Sequence, residues 1–278
     1  MKKKIAYQGR PGAYSHLVCL KAFPNYEPIS CESFEDVFKK TENKESEISL
    51  IPIENSQAGR VADIHNLLPM SKLVITGEYF HKVSHHLLGC PGSSLMTIKT
   101  AESHLHALAQ CKDFLVKNKI KPIISADTAG AAEEISKVKD NTRAAIASEL
   151  AAKIYDLNIL SSNIEDAIHN TTRFLCMKED FDEERLKNID YITSFIFQVR
   201  NIPSALFKAL GGFSTNRVNM LKLESYMLNG SFKATQFYVD IEGHPEDDNV
   251  KQAFEELGFF SKEVKILGYY PSSELRKG

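Results

Sequence analysis

Two glycines near the N-terminus flank a turn that could approach a small anion. Gly9 and Gly12 bracket this turn, and an apolar-periodic stretch begins at Ser15. Glycine lets the backbone come close to a ligand, and the start of a helix offers free N–H groups and a positive dipole end. The same residues also suit an ordinary tight turn between a strand and a helix, so the segment alone leaves both interpretations open.

Two further segments place polar side chains at the ends of predicted strands. Residues 52–56, Pro-Ile-Glu-Asn-Ser, follow a buried strand, and polar groups at the carboxyl end of a parallel strand point into the usual ligand crevice. Residues 170–174, Asn-Thr-Thr-Arg-Phe, put hydroxyls and an arginine at a strand start, and arginine binds carboxylates with two parallel donors. An exposed turn and a β-branched strand with a surface salt bridge explain these residues equally.

Ser103, Gln110 and Thr128 are weaker candidates, because each stands in or before a predicted helix. Ser103 is a possible N-cap with Gln110 further along the same helix, and Thr128 opens the next helix. Hydroxyl side chains are favoured at helix starts because their oxygens accept a backbone N–H. Capping alone therefore explains both hydroxyls.

No motif indicates a metal or a cofactor. The sequence contains neither the phosphate-binding pattern G-x-x-x-x-G-K-[ST] nor the dinucleotide fingerprint G-x-G-x-x-G. His81 and His85 stand four apart, but in a strand-like run, where that spacing does not converge as it does on a helix. We expect no metal site and no organic cofactor.

The elements that must position these residues alternate between strand and helix. This order favours a largely parallel α/β sheet, and the length of the region is compatible with two α/β lobes and a cleft. Ser33 and Asp36 suggest a capped helix start. The predicted strands are 4–8, 47–53, 73–79, 83–88, 123–125, 144–147 and 172–177, and the predicted helices are 15–23, 33–38, 60–69, 105–117, 128–138 and 149–155.

The composition changes after this region. Between residues 179 and 190, eight of the twelve residues are charged, which indicates a solvated linker. Beyond it the pattern is strand (192–199), helix (203–213), strand (217–225), strand (232–241), helix (246–257) and strand (263–268), with the hairpin-favouring pair Asn229-Gly230 between the middle strands. This βαββαβ order is ferredoxin-like, and so small a unit often pairs with a second copy.

Composition bounds the class of protein. The chain has 278 residues with a formal net charge of −2, which argues against general nucleic-acid binding. Its five cysteines are odd in number and show no Cys-x-x-Cys spacing, so a disulfide framework is not expected. No signal peptide or membrane span is evident, and we expect a cytoplasmic protein.

Taken together, these segments resemble the prephenate dehydratase family from about residue 4 to residue 268. Several separated motifs stand in the family's order, which is more specific than any one of them. The matching segments are 9–15, 52–56, 103–111, 127–132, 144–148 and a Thr-Arg-Phe motif at 172–174. The C-terminal unit resembles an ACT domain, an amino-acid-binding regulatory module.

The resemblance implies an α/β fold: a two-lobed, periplasmic-binding-protein-like catalytic domain at 4–179, a linker at 180–191 and a ferredoxin-like (βαββαβ) ACT domain at 192–271. It implies that prephenate is converted to phenylpyruvate, with loss of water and carbon dioxide, in L-phenylalanine biosynthesis. It further implies L-phenylalanine as an effector and a homodimer or homotetramer, with no cofactor, nucleic acid or membrane involved.

The resemblance also assigns roles. Thr172 would assist the departing C4 hydroxyl as a positioned donor, because a threonine hydroxyl is a poor acid. The other catalytic candidates are Glu54, Asn55, Ser103 and Gln110. The substrate-binding candidates are Arg173, Phe174, Thr128, Gly12, Ala13, Tyr14, Ser15 and Ser56. The effector-binding candidates are Ser204, Ala205, Leu206, Asn219, Met220, Leu221, Glu224 and Ser225.

Some positions depart from the family pattern, and two other functions stay open. The family's Glu-Ser-Arg-Pro segment reads Glu-Ser-Tyr-Met at 224–227, so the implied regulation rests on fewer matching residues than the catalysis. L-Arogenate is the rival substrate, since Asp127 could pair with its ammonium group. A non-catalytic regulator that binds a small acid is the alternative from a different class.

Overall fold

A computed structural model describes residues 2–167, 169–181, 185–200, 202–227 and 234–277. The chain divides into two compact units. Unit 1 contains residues 1–61 and 80–174, and unit 2 contains residues 62–79 and 175–278. These units are defined by packing alone. The functional domain boundaries expected from the sequence, 4–179, 180–191 and 192–271, stay a prediction.

Unit 1 holds two lobes, each built on one sheet. The elements of the first lobe are β1 (Lys3–Gln8), α1 (Tyr14–Ala22), β2 (Tyr26–Cys31), α2 (Phe34–Glu42), β3 (Ile48–Asn55) and β4 (Gly59–Arg60). β1 pairs in parallel with both β2 and β3, and β4 pairs antiparallel with β3. Ser33 caps α2 by accepting from the Asp36 N–H, which confirms the expected helix start.

Between the lobes in the sequence, the chain passes through unit 2. This passage forms α3 (Ala62–Leu67) and most of β5 (Val74–Lys82). In unit 2, the Lys265 ammonium donates to the carbonyls of Pro69 and Ser71 at 2.8 and 2.9 Å. Residues 62–79 therefore pack with the C-terminal part of the chain, which the sequence did not predict.

The second lobe of unit 1 has a mixed sheet, not the largely parallel sheet that was expected. Its elements are β6 (His86–Gly89), β7 (Thr100–Ser103), α4 (Leu105–Gln110), α5 (Lys112–Lys117), β8 (Lys121–Ile124), α6 (Thr128–Val138), β9 (Arg143–Ala147), α7 (Glu149–Ile154) and β10 (Asn158–Ser161). The strand order is β10-β6-β9-β7-β8. β7 pairs in parallel with β8 and β9, whereas β6 pairs antiparallel with β9 and β10.

The last strand of the α/β region, β11 (Thr171–Lys178), begins in unit 1 beside β3. Asn170 precedes it, and Thr172 and Phe174 lie in its first half. The α/β architecture with two lobes is confirmed, and the helix predicted over 128–138 is confirmed at both ends.

Unit 2 confirms the ferredoxin-like pattern. Its elements after β11 are β12 (Tyr191–Val199), α8 (Ala205–Thr215), β13 (Met220–Met227), β14 (Ala234–Glu242), α9 (Asp248–Phe260) and β15 (Ser261–Pro271), followed by a 3-10 turn (Glu274–Lys277). The strand order β13-β14-β12-β15 has adjacent antiparallel pairs, and β5 joins it at β15. The turn predicted at Asn229-Gly230 lies outside the described residues.

The core of unit 2 lies between the helices α8 and α9 and the strands beneath them. Phe195, Phe213 and Phe254 form ring contacts in it, with centroids 4.8 to 5.9 Å apart. Apolar burial of this kind supplies most of the driving force for such a packed layer. No helix in the described part of the chain is long and apolar enough to span a membrane.

Candidate active site

A cavity of about 880 Å³ lies between the two lobes of unit 1. Its walls include the carboxyl ends of β1, β2 and β3, the start of β11, and the first residues of α1 and α6. Ligand sites in open α/β sheets lie at such strand ends, as the sequence predicted. Of the predicted site residues, the lining includes Ala13, Tyr14, Ser15, Asn55, Gln110, Thr128, Thr172 and Phe174.

The glycine turn shapes one wall of the cavity without offering all of its amides to a ligand. Gly12 has a φ of +91°, and a Cβ there would lie 2.9 Å from Cα of Ala151. Its N–H donates to Nδ1 of His16 at 3.1 Å, and its carbonyl accepts from the Ser148 hydroxyl at 2.6 Å. Gly12 is therefore required for close packing, and the expectation that its amide binds substrate is corrected.

Six side chains form a continuous hydrogen-bonded series along the cavity, which we call the amide chain. The series is named for its three middle members, which are carboxamides. Its members come from strands and helices that are distant in the sequence. In order, the members are Tyr14, His85, Gln110, Asn170, Asn55 and Thr172.

The direction of the hydrogen bonds at Asn55 is fixed by the backbone. Its Oδ1 accepts the N–H groups of Gln57 and Ala58 at 2.9 and 2.8 Å. Its Nδ2 must therefore be the group that donates to Oδ1 of Asn170 at 2.8 Å and to Oγ1 of Thr172 at 2.9 Å. Because Thr172 accepts from Asn55, its own hydroxyl proton stays available to the cavity, and no acceptor for it occurs among the described residues.

The other end of the amide chain consists of neutral aromatic groups. Oε1 of Gln110 accepts from Nδ2 of Asn170 at 2.9 Å and lies 2.8 Å from Nε2 of His85, so Nε2 carries a proton. Nδ1 of neutral His85 then accepts from the Tyr14 hydroxyl, whose oxygen lies 2.7 Å from Nδ1 and 2.9 Å from the Ser84 carbonyl oxygen. Burial lowers the pKa of His85 and raises that of Tyr14 well above its usual value. The amide chain is thus uncharged at neutral pH.

Arg173 and Glu54 lie away from the cavity, contrary to expectation. The side chain of Arg173 is only 2% exposed, and its guanidinium donates to Oε1 of Glu54 at 3.0 Å. Successive residues of a strand point to opposite faces, so Thr172 and Phe174 line the cavity while Arg173 does not. The pair is placed to hold β3 and β11 together, and neither residue belongs to the cavity lining, so their predicted direct roles are corrected.

Two predicted serines are also outside the lining. Ser103 ends β7, is fully buried and donates its hydroxyl to the Ile146 carbonyl at 2.6 Å, and His104 caps α4 instead. Ser56 donates to the carbonyl of His169 at 2.7 Å and accepts from the N–H of Thr171 at 3.0 Å. Both hydroxyls hold the backbone, so their predicted roles as catalytic and substrate-binding groups are corrected.

Arg10 supplies a positive charge to the cavity. Among the described residues, it is the only lysine or arginine that lines this cavity. Its Nη1 lies 2.6 Å from Oε2 of Glu133, and its Nε lies 3.6 Å from Oδ2 of Asp127. Asp127 also caps α6 by accepting the Gly130 N–H at 2.6 Å. The hydrogen bond to Glu133 is the main cause of the raised pKa of Arg10. Nη2 has no partner among the described residues and can meet an anion.

Sequence reasoning missed His85, Asn170 and Arg10 as site residues. Asn170 immediately precedes the Thr-Arg-Phe motif, and Arg10 lies inside the glycine turn, so both were visible as neighbours of a motif. His85 was considered only as a metal ligand, because only the folded chain brings it to Tyr14 and Gln110. In the described part of the chain, no three His, Cys, Asp or Glu side chains are placed to hold a metal ion.

The predicted effector residues lie in unit 2, at the start of α8 and along β13. Ser204 adopts a left-handed conformation with a φ of +63°, Ala205 is buried and Leu206 packs against the core. On β13, Glu224 lies 3.4 Å from the Lys222 ammonium. The remaining members, Asn219, Met220, Leu221 and Ser225, lie in or next to β13. Their role in effector binding stays a prediction.

Comparison with known proteins adds a family assignment. The sequence model of prephenate dehydratase matches residues 5–181. A protein of Komagataeibacter europaeus named bifunctional N-acyl-homoserine lactone acylase/prephenate dehydratase is 45% identical, over 98% of this chain and 97% of that protein. Arogenate dehydratase/prephenate dehydratase 1 of Arabidopsis thaliana is 38% identical, over 99% of this chain and 74% of that protein.

A solved structure supports the fold. The prephenate dehydratase of Arthrobacter aurescens, in complex with L-Phe, has a TM-score of 0.88 at 24% identity and covers 97% of this chain and 90% of that chain. The sequence model of the family and the two relatives each match more than half of this chain. The matched region contains the cavity and the amide chain. The chain therefore belongs to the prephenate dehydratase family.

Proposed function

We propose that the protein converts prephenate to phenylpyruvate, with loss of water and carbon dioxide, in phenylalanine biosynthesis. The single observation that carries this proposal is that the Thr172 hydroxyl accepts from Asn55 and is therefore a hydrogen-bond donor toward the cavity. Asn55 occupies a lone pair of the Thr172 oxygen, so the hydroxyl proton points to the cavity, where a leaving hydroxyl needs it.

The reaction needs no redox chemistry. The ring carboxylate leaves as carbon dioxide, its electron pair completes the aromatic ring, and the C4–O bond breaks. The departing oxygen takes up one proton and leaves as water. A threonine hydroxyl is a poor acid, so Thr172 acts as a positioned donor to this oxygen and relays the proton, and the fixed amide chain avoids reorganisation during the step.

Arg10 is the group that we assign to a substrate carboxylate in place of Arg173. Prephenate is a dianion, and Arg10 brings a guanidinium to the cavity, where Nη2 has no described partner. An arginine held by Glu133 and Asp127 is oriented before substrate binds, which lowers the entropy lost on binding.

The experiment that tests the reaction is a steady-state comparison of kcat/KM on prephenate and on L-arogenate with the purified full chain. Phenylpyruvate is followed by its ultraviolet absorbance in alkali, and L-phenylalanine is quantified for the arogenate reaction. We expect prephenate to be preferred, because both oxygens of Asp127 already face donors, the Gly130 N–H and Arg10. A higher kcat/KM on arogenate would make the protein an arogenate dehydratase, and turnover of neither substrate would favour the non-catalytic regulator.

A second candidate activity is hydrolysis of an N-acyl-homoserine lactone. The observation that favours it is the 45% identity, over nearly both full lengths, to a protein whose name includes that acylase. The assay is release of fatty acid from an N-acyl-homoserine lactone by wild type and by Thr172→Ala. Hydrolysis that survives in Thr172→Ala while phenylpyruvate formation is lost would show that the two activities use different groups.

We further propose that L-phenylalanine regulates the enzyme through unit 2 and that copies of the chain pair there as a dimer or a dimer of dimers. The strand β13 lies at the edge of the unit 2 sheet, and an edge strand presents unpaired backbone groups to a second chain. Support also comes from the L-Phe complex of the Arthrobacter aurescens protein. Calorimetry with L-phenylalanine and the oligomeric mass of the full chain test this, and no heat at millimolar ligand would contradict it.

A further inference from the structure

The backbone of His85 is not held by a strand ladder. His85 lies in the connection between β5 and β6, which has no regular secondary structure at residues 83–85. The residue is only 2% exposed, so its N–H and carbonyl groups need partners within the protein. The segment that supplies these partners also decides where the His85 ring lies in the amide chain.

The loop before β11 supplies both partners. Oε2 of Glu165 accepts the His85 N–H at 2.9 Å, and the N–H of Ile164 donates to the His85 carbonyl at 2.9 Å. The next residue, Asp166, donates its N–H to the carbonyl of Gln110 at 2.7 Å. Three consecutive residues therefore hold the backbones of two adjacent members of the amide chain.

Only one of these three contacts depends on a side chain. Ile164 and Asp166 act through backbone N–H groups, which every residue except proline has. Glu165 acts through its carboxylate, so the contact depends on the length of the side chain at this position. Glutamine places an oxygen at the same reach, whereas aspartate is one methylene shorter.

The ring of His85 has little freedom to move without losing its partners. Its Nε2 lies 2.8 Å from Oε1 of Gln110, and its Nδ1 lies 2.7 Å from the Tyr14 oxygen. Hydrogen bonds of this length weaken steeply when the donor and acceptor shift by about 1 Å, and such a displacement in an active site can lower a rate up to roughly 100-fold.

The negative charge of Glu165 works against the neutral ring that the amide chain contains. Burial is the main cause of the lowered pKa of His85, and His86 acts in the same direction. The hydrogen bond to Gln110 and the charge of Glu165 both act to raise this pKa. Because a charge here favours the protonated ring, the contribution of Glu165 to the neutral amide chain is its hydrogen bond.

We propose that Glu165 is a positioning residue of the active site, whose hydrogen bond to the His85 N–H holds the His85 ring where it joins Tyr14 to Gln110. Glu165 is absent from the described cavity lining, so it acts through His85 and not on the substrate. The kinetic test of this inference rests on the proposed dehydratase reaction, and its spectroscopic test needs no turnover.

Two substitutions separate the reach of the side chain from its charge. Glu165→Asp keeps the charge and loses the reach, so kcat on prephenate should fall roughly tenfold with little change in KM. Glu165→Gln keeps the reach and loses the charge, so kcat should stay within about twofold of wild type. Glu134→Asp is the control, because Glu134 is an exposed residue of α6 outside the cavity lining, and it should leave kcat unchanged.

NMR of the ring nitrogens of His85 gives the readout that is independent of turnover. The full-length protein is isotope-labelled, and the resonances are assigned by their loss in His85→Gln. At neutral pH we expect one tautomer, with the proton on Nε2, in wild type and in Glu165→Gln, and two exchanging tautomers in Glu165→Asp. A wild type that does not convert prephenate would contradict the proposed function and leave this readout valid.

Two results would overturn the inference. A Glu165→Asp protein with the wild-type kcat and a single His85 tautomer would show that the hydrogen bond is dispensable. Equal losses of kcat in Glu165→Gln and Glu165→Asp would show that the charge of Glu165, and not its reach to His85, is what the site requires.

Discussion

Two polar clusters in this protein use buried hydrogen bonds in opposite ways. The amide chain of unit 1 is neutral and ends at a hydroxyl with a free proton facing a cavity. The cluster in unit 2 is charged and closed. Its Glu78 carboxylate receives Nε and Nη2 of Arg276 at 2.6 and 2.8 Å.

The unit 2 cluster continues through Asp240, which is fully buried like Glu78. Ser194 donates its hydroxyl to Asp240, and the hydroxyls of Tyr238 and Tyr270 lie 3.2 and 2.8 Å from the Ser194 oxygen. A network in which every donor has an acceptor stabilises the packing around it. A network that leaves one donor without an acceptor at a cavity can donate that hydrogen bond to a reacting substrate. The comparison predicts that changes in the amide chain act on rate and changes in the unit 2 cluster act on stability.

The largest effect is expected at Thr172. Thr172→Ala removes the free donor at the end of the amide chain, so kcat should fall roughly 100-fold with little change in KM, as general acid and donor contributions usually do. Steady-state kinetics on prephenate measures it. Thr171→Ala is the matched control, since Thr171 is the neighbouring hydroxyl and is absent from the cavity lining. A Thr172→Ala enzyme with near-full kcat would refute the assignment.

The next effect is on stability in unit 2. Arg276→Met leaves the buried Glu78 carboxylate without its bidentate partner, so the free energy of unfolding should fall by about 3 kcal/mol while kcat and KM of the folded enzyme stay unchanged. Urea unfolding measures the loss, with Lys251→Met as an exposed control on α9. An unaltered unfolding midpoint would mean that this cluster contributes no stability.

A smaller effect on rate tests the direction of the amide chain. Asn55→Asp keeps an acceptor for the Gln57 and Ala58 N–H groups but loses the donor to Thr172, whose proton then turns toward the carboxylate. We expect kcat to fall roughly tenfold or more. Because the change acts through Thr172, the double variant with Thr172→Ala should be little slower than Thr172→Ala alone. Fully additive losses would show that Asn55 acts independently.

A further effect of similar or smaller size concerns binding. Arg10→Gln removes the guanidinium from the cavity lining, so KM for prephenate should rise roughly tenfold with kcat little changed. Arg173→Lys is the contrasting variant, since its side chain is buried against Glu54, and it should lower stability more than it raises KM. A KM that responds to Arg173 and not to Arg10 would restore Arg173 as the substrate anchor.

The smallest effect is a pH dependence that comes from unit 1. The pKa of His81 is about 4 in the folded protein, compared with an ordinary value of 6.5 in the unfolded chain. Between pH 6.5 and pH 4, His81 is therefore protonated in the unfolded chain and neutral in the folded protein. Stability should therefore fall as pH falls from 6.5 toward 4, by at most about 1.4 kcal/mol per pH unit for this group. Urea unfolding of wild type and His81→Gln between pH 7 and 5 measures it, and equal slopes would contradict the prediction.

The sequence predicted most of the elements and their order, but not the strands β2, β4, β7 and β10. Local periodicity was enough to predict the strand 4–8, the helix 128–138 and the βαββαβ pattern after residue 191, because strand and helix periods are written in neighbouring residues. The family motifs also marked the segments that line the cavity, including Asn55, Gln110 and Thr172.

Only the tertiary structure decided which side chains of those segments meet. Asn55 and Thr172 are 117 residues apart, and Gln110 and Asn170 are 60 apart, so no local pattern could join them. It also decided that Thr172 faces the cavity and Arg173 the opposite face of the strand, because the register and neighbours of β11 choose the buried side. The amino-acid types indicated which chemistry was possible. Long-range packing decided that Thr172 is the residue whose hydroxyl proton is available to the cavity.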